Sequence, residues 1–193
     1  PNSFIRNSIN FPIENVDCIY GKYFRIGEFS VRRLLNKSEL RQLGLVEILY
    51  ARAEWITFSE LAKSLDCSVR ILKDDVVYFK KIFKEFTIES SNSGIRLVVN
   101  DNVGLKFFYQ HTLKHSTNFR ILEAIFLEDG LPIKELTHRL NISTSTIYRL
   151  IEQINDVLVD YNFQIGLNPC KIVGNERKIR HFYYNYFNEN IPI

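Results

Sequence analysis

One pattern occurs twice in this chain at a fixed spacing. The stretch from Phe58 to Ser68 is echoed from Ile133 to Ser143, a constant offset of 75 residues. Apolar residues recur at Phe58/Ile133, Leu61/Leu136, Leu65/Leu140, Cys67/Ile142 and Leu72/Ile147. In both copies a short polar turn follows the first apolar block, and then a serine, Ser68 or Ser143, suited to cap a new helix. Helix, tight turn and capped second helix make a helix-turn-helix, a unit that lays its second helix in the major groove of DNA. Two copies in one chain point to a DNA-binding protein.

Length and composition leave room for that reading. A chain of 193 residues holds one large domain or two small ones, and a hydrophobic fraction of 46% supplies real cores. No run of about 18 apolar residues exists, so no membrane span is expected. The start, Pro1-Asn2-Ser3-Phe4, lacks a basic and then apolar signal region, and the cytoplasm is the expected location. The chain has no Met and reads as a processed start or a cut fragment. Cys18, Cys67 and Cys170 are far apart, odd in number and without a CxxC, so neither a zinc ribbon nor a disulfide framework is suggested. Cys67 fills the slot of Ile142 and is expected as a small buried core residue.

Net charge is only +3, weak for a DNA binder. Residues 1–117 carry 17 Lys and Arg against 13 Asp and Glu, whereas residues 118–193 carry 8 against 9. Strong non-specific binding by one copy is not expected, so phosphate contacts would be local and a homodimer would help.

The chain divides into five segments. Residues 1–37 are expected as a partly ordered arm, with a short strand within Tyr23–Val31 and a basic pair, Arg32 and Arg33, that suits either phosphate or solvent. Residues 38–100 form the first winged helix-turn-helix. Its first helix runs over about Ser38–Arg52, capped by Asn36 or Ser38, with Leu40, Leu43, Val46, Leu49 and Tyr50 on one face. Ser59–Leu65 is the second helix. The third starts at Ser68, runs to about Lys84, and buries Leu72, Val76, Phe79 and Phe83. Two β-prone runs around Ser91-Asn92-Ser93-Gly94 then read as a hairpin wing. Residues 101–117 are a linker helix from about Val103. Residues 118–174 repeat the plan: Phe119–Leu127, Ile133–Leu140, a third helix from Ser143 to about Tyr161, and a small wing around Asn168-Pro169. In the last segment, 175–193, Ile179, Phe182, Tyr183, Tyr186 and Phe187 form an apolar stripe. It is read as leading into a regulatory domain beyond residue 193, with packing back on the second unit as the alternative. The fold class is therefore mainly α with small β wings, in tandem winged helix-turn-helix domains.

An α-helix turns 100° per residue. Centring the second recognition helix on Ile147, Ile151, Ile154 and Leu158 points Ser145, Tyr148, Arg149 and Glu152 outward, flanked by Thr144, Thr146 and Gln153. Arg149 suits a guanine edge or a phosphate, and the hydroxyls suit phosphates. The same construction on the first copy points Arg70, Lys73, Asp74 and Val77 outward beside the cap Ser68. Asp74 and Asp75 do not suit phosphate and are expected to pair with Lys73, Arg70 or another basic residue. The second copy is thus the better base reader, although its unit is slightly acidic. The wing tips offer Asn92, Ser93, Arg96, Asn168 and Lys171, for backbone or minor-groove contact or simply for solvent.

Catalytic signatures are missing. There is no Gly-rich phosphate loop, GxSxG or HExxH, so no enzyme and no cofactor are expected. His111 and His115 are spaced i, i+4 on the linker helix but have no third ligand, and read as an ordinary surface pair.

Segment Gln110–Glu189 resembles the Mga-type helix-turn-helix region of Gram-positive transcriptional regulators, the Mga/AtxA group. The carriers are Ser116-Thr117-Asn118-Phe119-Arg120-Ile121-Leu122, Ile125-Phe126, Ile142-Ser143-Thr144-Ser145-Thr146-Ile147-Tyr148-Arg149, Ile154-Asn155 with Leu158, Gly174-Asn175-Glu176, and Ile179-Arg180-His181-Phe182-Tyr183. Leu40–Val99 looks like the more variable helix-turn-helix that precedes it in that family. The resemblance implies the DNA-binding half of a cytoplasmic transcriptional activator, of the virulence-regulator kind, binding double-stranded promoter DNA. It implies phosphotransferase-regulated domains further on, with regulatory histidines and dimer contacts. Asp74, standing where Arg149 stands in the second copy, departs from a base-reading pattern. Two other readings compete: a tandem winged-helix module that binds protein, and a replication initiator with paired winged helices.

Overall fold

A computed structural model describes residues 25–26, 29–99 and 104–190. The arm at residues 1–22, Cys18, the start of the linker helix at Val103, and the side chains of Arg32, Tyr186 and Phe187 lie outside the described residues or side chains. Within the span where a strand is expected, β1 (Arg25–Ile26) and β2 (Phe29–Ser30) pair antiparallel, and a short 3-10 turn follows at Val31–Leu34.

In the first unit each helix starts where a side chain can satisfy free backbone N–H groups. Asn36 caps α1 (Lys37–Arg52), its Oδ1 accepting from the backbone of Ser38 and Glu39 while Glu39 accepts in return from the Asn36 N–H. Thr57 and Glu60 form the same reciprocal cap on α2 (Phe58–Ser64). Ser68 caps α3 (Val69–Ile82) by accepting from the Ile71 N–H. The hairpin of β3 (Phe86–Ser91) and β4 (Gly94–Val99) completes the unit. Ile56, just before α2, adds a bridge to Ile95 with both hydrogen bonds at 2.9 Å. That close approach sets the residue at position 94: Gly94 has φ +123°, and a Cβ there would lie 2.1 Å from the Ile56 carbonyl oxygen.

After α4 (Leu105–His115) the second unit repeats this plan, with α5 (Thr117–Leu127), α6 (Ile133–Leu140), α7 (Thr144–Leu158), β5 (Phe163–Gly166) and β6 (Lys171–Gly174). The 75-residue offset holds in detail. Ser143 caps α7 through the Thr146 N–H. Asp66 and Asn141 both take left-handed backbone in the turn, with φ of 46° and 56°. The Ile56–Ile95 bridge is matched by Leu131–Cys170. The chain is thus a tandem winged helix-turn-helix, mainly α with small β wings.

The two units share one core. α4 buries Leu105, Phe108, Tyr109 and Leu113, and the Tyr109 hydroxyl donates to the buried carboxylate of Glu47 on α1 at 2.7 Å. Phe83, Phe86 and Phe108 cluster between them, with ring centroids 4.5–5.7 Å apart. Asn118 donates to the Leu34 carbonyl, and Arg33 of the expected basic pair meets Asp160 at 2.8 Å rather than pointing free. The last helix, α8 (Glu176–Asn190), packs back on the second unit. Tyr183 stacks on Phe126 at 3.8 Å, donates to the Leu122 carbonyl, and lies beside the buried Phe182.

Three expectations need correction. His111 and His115 are no ordinary surface pair: their rings stack at 4.0 Å, and His111 is half-buried with its ring 4.4 Å from Phe83. Burial first, and then the neighbouring His115, push His111 down to about 4. Cys67 is half-buried rather than fully in the core, and Leu140, expected inside like Leu136, is only partly covered. Leu140 is the last residue of α6 and Cys67 lies in the turn just before the α3 cap, both packed against the margin of the core.

Candidate nucleic-acid interface

The two recognition helices, α3 and α7, bury the expected stripes. Leu72, Val76, Phe79 and Phe83, and likewise Ile147, Ile151, Ile154 and Leu158, are each at most 5% exposed. Their outer faces are therefore fixed by helix geometry.

At the start of α7 the hydroxyls form a linked group. Ser143 Oγ lies 3.0 Å from Ser145 Oγ and 2.8 Å from Thr146 Oγ1, and Thr144 Oγ1 is 3.5 Å from Thr137 Oγ1. Thr144, Ser145, Tyr148, Arg149, Glu152 and Gln153 are exposed, and Thr146 is half-buried. No ion pair holds Arg149 among the described residues, so its guanidinium is available. A shallow open groove of about 450 Å³ runs between this face and the wing, lined by Tyr148, Arg149, Glu152, Asp156 and Leu167 among others. Asn155 fixes the wing beside it, donating to the Ile165 carbonyl at 2.9 Å and accepting from its N–H at 2.7 Å. Lys171 opens β6 opposite Gly166 and is exposed.

On α3, Arg70, Lys73, Asp74 and Val77 are exposed beside Ser68, as helix geometry requires. Lys73 also sits over the Phe58 ring at 5.7 Å, where α2 meets α3. Asp75 is not on this face. It is buried, and the Arg41 guanidinium of α1 grips it bidentately at 2.6 and 3.1 Å, with Gln42 donating at 2.9 Å. The expected basic partner is thus Arg41, 34 residues away, and Asp75 puts no charge toward a ligand. Hydrogen bonding to Asp75 in turn raises the Arg41 pKa above its ordinary value.

Arg96 is not at the wing tip. It stands on β4 opposite Glu89, pairs with that carboxylate at 2.7 Å, and lies over the Trp55 ring at 4.8 Å. The tip proper is Asn92 and Ser93. Lys80 and Lys81, not among the expected contacts, are exposed one turn beyond Val77 on α3, where the same 100° helical spacing places them. Lys80 donates to Ser90 Oγ at 3.2 Å and so ties helix to wing at the places, 75 residues earlier, where Asn155 and Ile165 do so in the second unit.

Among the described residues no three His, Cys, Asp or Glu side chains are grouped to hold a metal ion, and no helix is long and apolar enough to cross a membrane. Paired serine-capped recognition helices, with outer faces exposed among the described residues, define the class: a tandem helix-turn-helix protein. Residues 36–95 match the helix-turn-helix domain of the M protein trans-acting positive regulator, and residues 101–187 match the Mga helix-turn-helix domain. The chain belongs to the Mga family of transcriptional regulators, which are not enzymes. Over 160 residues it is 41% identical to a protein of Streptococcus pneumoniae named as a trans-acting regulator, covering 82% of this chain and 32% of that one. It is 21% identical to the capsule synthesis positive regulator AcpA of Bacillus anthracis, over 82% of this chain and 33% of the relative. It is 24% identical to the anthrax toxin expression trans-acting positive regulator of Bacillus anthracis, with the same coverage. The chain spans about a third of the length of these relatives.

Proposed function

We propose that this chain is the DNA-binding part of a cytoplasmic transcriptional activator that binds promoter DNA sequence-specifically through both winged helices. The observation that carries the reading is the pair of serine-capped recognition helices, built alike at a 75-residue offset, with outer faces that no other element covers among the described residues. In this reading Arg149 takes a guanine edge or phosphate, Tyr148 and Gln153 flank it, and Thr144, Ser145 and Thr146 meet phosphate at the helix start. Ser68, Arg70 and Lys73 contact DNA from the first unit, and Lys171 from the second wing. Arg96 would contribute only by leaving Glu89. The relatives' names as positive regulators of capsule and toxin genes support activation, and genes of that virulence kind, as the role. The whole protein would act as a homodimer, which doubles the phosphate contacts that one weakly charged copy makes.

The test is a titration of labelled duplexes that the chain itself selects from a random-sequence library. Arg149→Ala should lower affinity for them by roughly 1–3 kcal/mol while circular dichroism stays unchanged. Lys73→Ala alone should do less, because Asp74 stands beside it. One observation favours a protein-binding module instead: Ile71, Tyr78 and Ile82 form an apolar edge on α3, each about 40% exposed. A protein ligand there would bind without the steep salt dependence that phosphate contacts impose.

A further inference from the structure

Aligning the two recognition helices position by position exposes a contrast that the shared fold does not require. Six outward positions correspond at the offset of 75. On α3 they hold Arg70, Lys73, Asp74, Val77, Lys80 and Lys81, all exposed: four cations against one carboxylate. On α7 the same positions hold Ser145, Tyr148, Arg149, Glu152, Asn155 and Asp156, one cation against two carboxylates. The nearby Asp75 does not offset the α3 cations, because it faces α1 and is held there by Arg41 and Gln42.

Helix stability explains only part of this. Lys80 and Lys81 lie in the last turn of α3, where cations complement the negative end of the helix dipole. Arg70 and Lys73 lie in the first turns, near the positive end, and no acidic residue stands in the first turn to balance them. Cations there work against the dipole, which fits a role toward an external anion. Lys73 is positioned over the Phe58 ring, and Lys80 uses one of its three N–H donors on Ser90, leaving two.

We infer that the two units divide the work on DNA: α3 is a phosphate clamp, through Arg70, Lys73, Lys80 and Lys81, that supplies affinity for any sequence, and α7 supplies the discrimination. The inference rests on the DNA-binding reading above. Phosphate contacts carry no sequence information, while each one steepens the fall of affinity with salt by about 0.9 in the logarithmic slope.

The experiment uses the 193-residue chain and two probes of about 40 base pairs: duplexes selected by the wild-type chain, and the unselected random library. Affinities are read between about 50 and 200 mM salt. The variant Arg70→Gln/Lys73→Gln/Lys80→Gln/Lys81→Gln should bind both probes more weakly by the same factor. Across that salt range its affinity should fall on the order of a hundredfold less than that of the wild type, if each cation meets one phosphate. The ratio between probes should stay put. Arg149→Ala should do the reverse, shrinking the ratio while changing the slope by at most about one contact. A charge-retaining variant, Arg70→Lys/Lys73→Arg, should keep the wild-type slope, and Arg70→Gln/Lys73→Gln should lose about half of the full effect, both with unchanged circular dichroism. A wild-type slope in the four-site variant, or loss of its probe discrimination, overturns the division of labour. If the wild-type chain binds neither probe, it is the DNA-binding reading that fails.

Discussion

The Arg41–Asp75 pair allows a sharp test of how the first unit is held together. Asp75 is 5% exposed at its side chain and Arg41 is 20% exposed. Replacing Arg41 with Ala removes both guanidinium bonds and leaves a buried carboxylate with Gln42 as its one remaining partner. Breaking a buried pair from one side costs about 3–5 kcal/mol. The retained Gln42 bond, and water entering the space vacated by Arg41, bring the expectation to roughly 2–4 kcal/mol. For a chain of this size that is a fall in Tm of about 5–15 °C. Asp75→Leu is the informative contrast. The second unit carries Leu150 at the matching position, so the fold accepts an apolar residue there, and the freed Arg41 can turn to solvent. Its cost should stay below about 1.5 kcal/mol, as for other well-accommodated apolar changes. The double variant Arg41→Ala/Asp75→Leu should be close to Asp75→Leu alone, because the carboxylate that needs Arg41 is gone. Urea titrations of all four proteins give the cycle. If Asp75→Leu costs as much as Arg41→Ala, or the two changes add without coupling, the pair does not hold α3 to α1 as argued.

Three further outcomes follow from other parts of the fold. Leu136→Ala should cost about 2–5 kcal/mol, the partly covered Leu140→Ala clearly less, and Ser143→Ala about 1 kcal/mol through its lost cap, in a ranking that chemical denaturation reads directly. Gly94→Ala should destabilise the first unit far more than an ordinary turn substitution, because its Cβ would strike the Ile56 carbonyl; an unchanged melting curve would mean that the Ile56–Ile95 bridge does not form. His111 is pushed below its ordinary range to about 4, so the folded chain resists a proton that the unfolded chain takes up near 6.5. Its contribution is complete above about pH 6.5 and is lost as the pH falls toward 4, and His111→Phe should flatten the decline in urea midpoint between those values, Glu85 acting slightly the other way.

Much of this was open to reading because the chain states its plan twice. Buried stripes, serine caps and both hairpins follow from apolar spacing and turn residues, which are local properties. What stayed hidden depends on partners far apart in sequence. A basic partner for Asp75 is expected from its charge, but nothing in its neighbourhood announces that the partner is Arg41, 34 positions earlier. Glu47 sits within an apolar helix stripe and finds its partner, Tyr109, 62 residues on. The turn signal Ser-Asn-Ser-Gly fixes where the hairpin reverses, not which strand residues reach across to Trp55, so sequence alone puts Arg96 near the tip and not on β4. Lys80 and Lys81, by contrast, need no distant partner: helical spacing one turn beyond Val77 is enough to place them outward.

The two copies also separate what the scaffold needs from what it leaves open. Where both units solve the same mechanical problem, they often use the same device: a serine cap, a left-handed residue in the turn, a one-residue bridge closing the wing. Where they differ, the difference sits either between the units or on the outer faces. Glu47, which bonds α4, is matched by Leu122, which lies in the second core. The tie from recognition helix to wing is a lysine–serine contact in one unit and an asparagine on the backbone in the other. The second tie is uncharged, and with Asp156 in place of Lys81 it leaves α7 with Arg149 as its one outward cation among these matched positions. A helix with one cation gains less from phosphate charge, so in the proposed reading more of what it adds depends on where Arg149 and its polar neighbours land. A helix with four can hold DNA with little regard to sequence. In the division of labour proposed above, the two helices are joined through a common core, so the first would raise the local concentration of DNA at the second, and the second would decide where the pair stays.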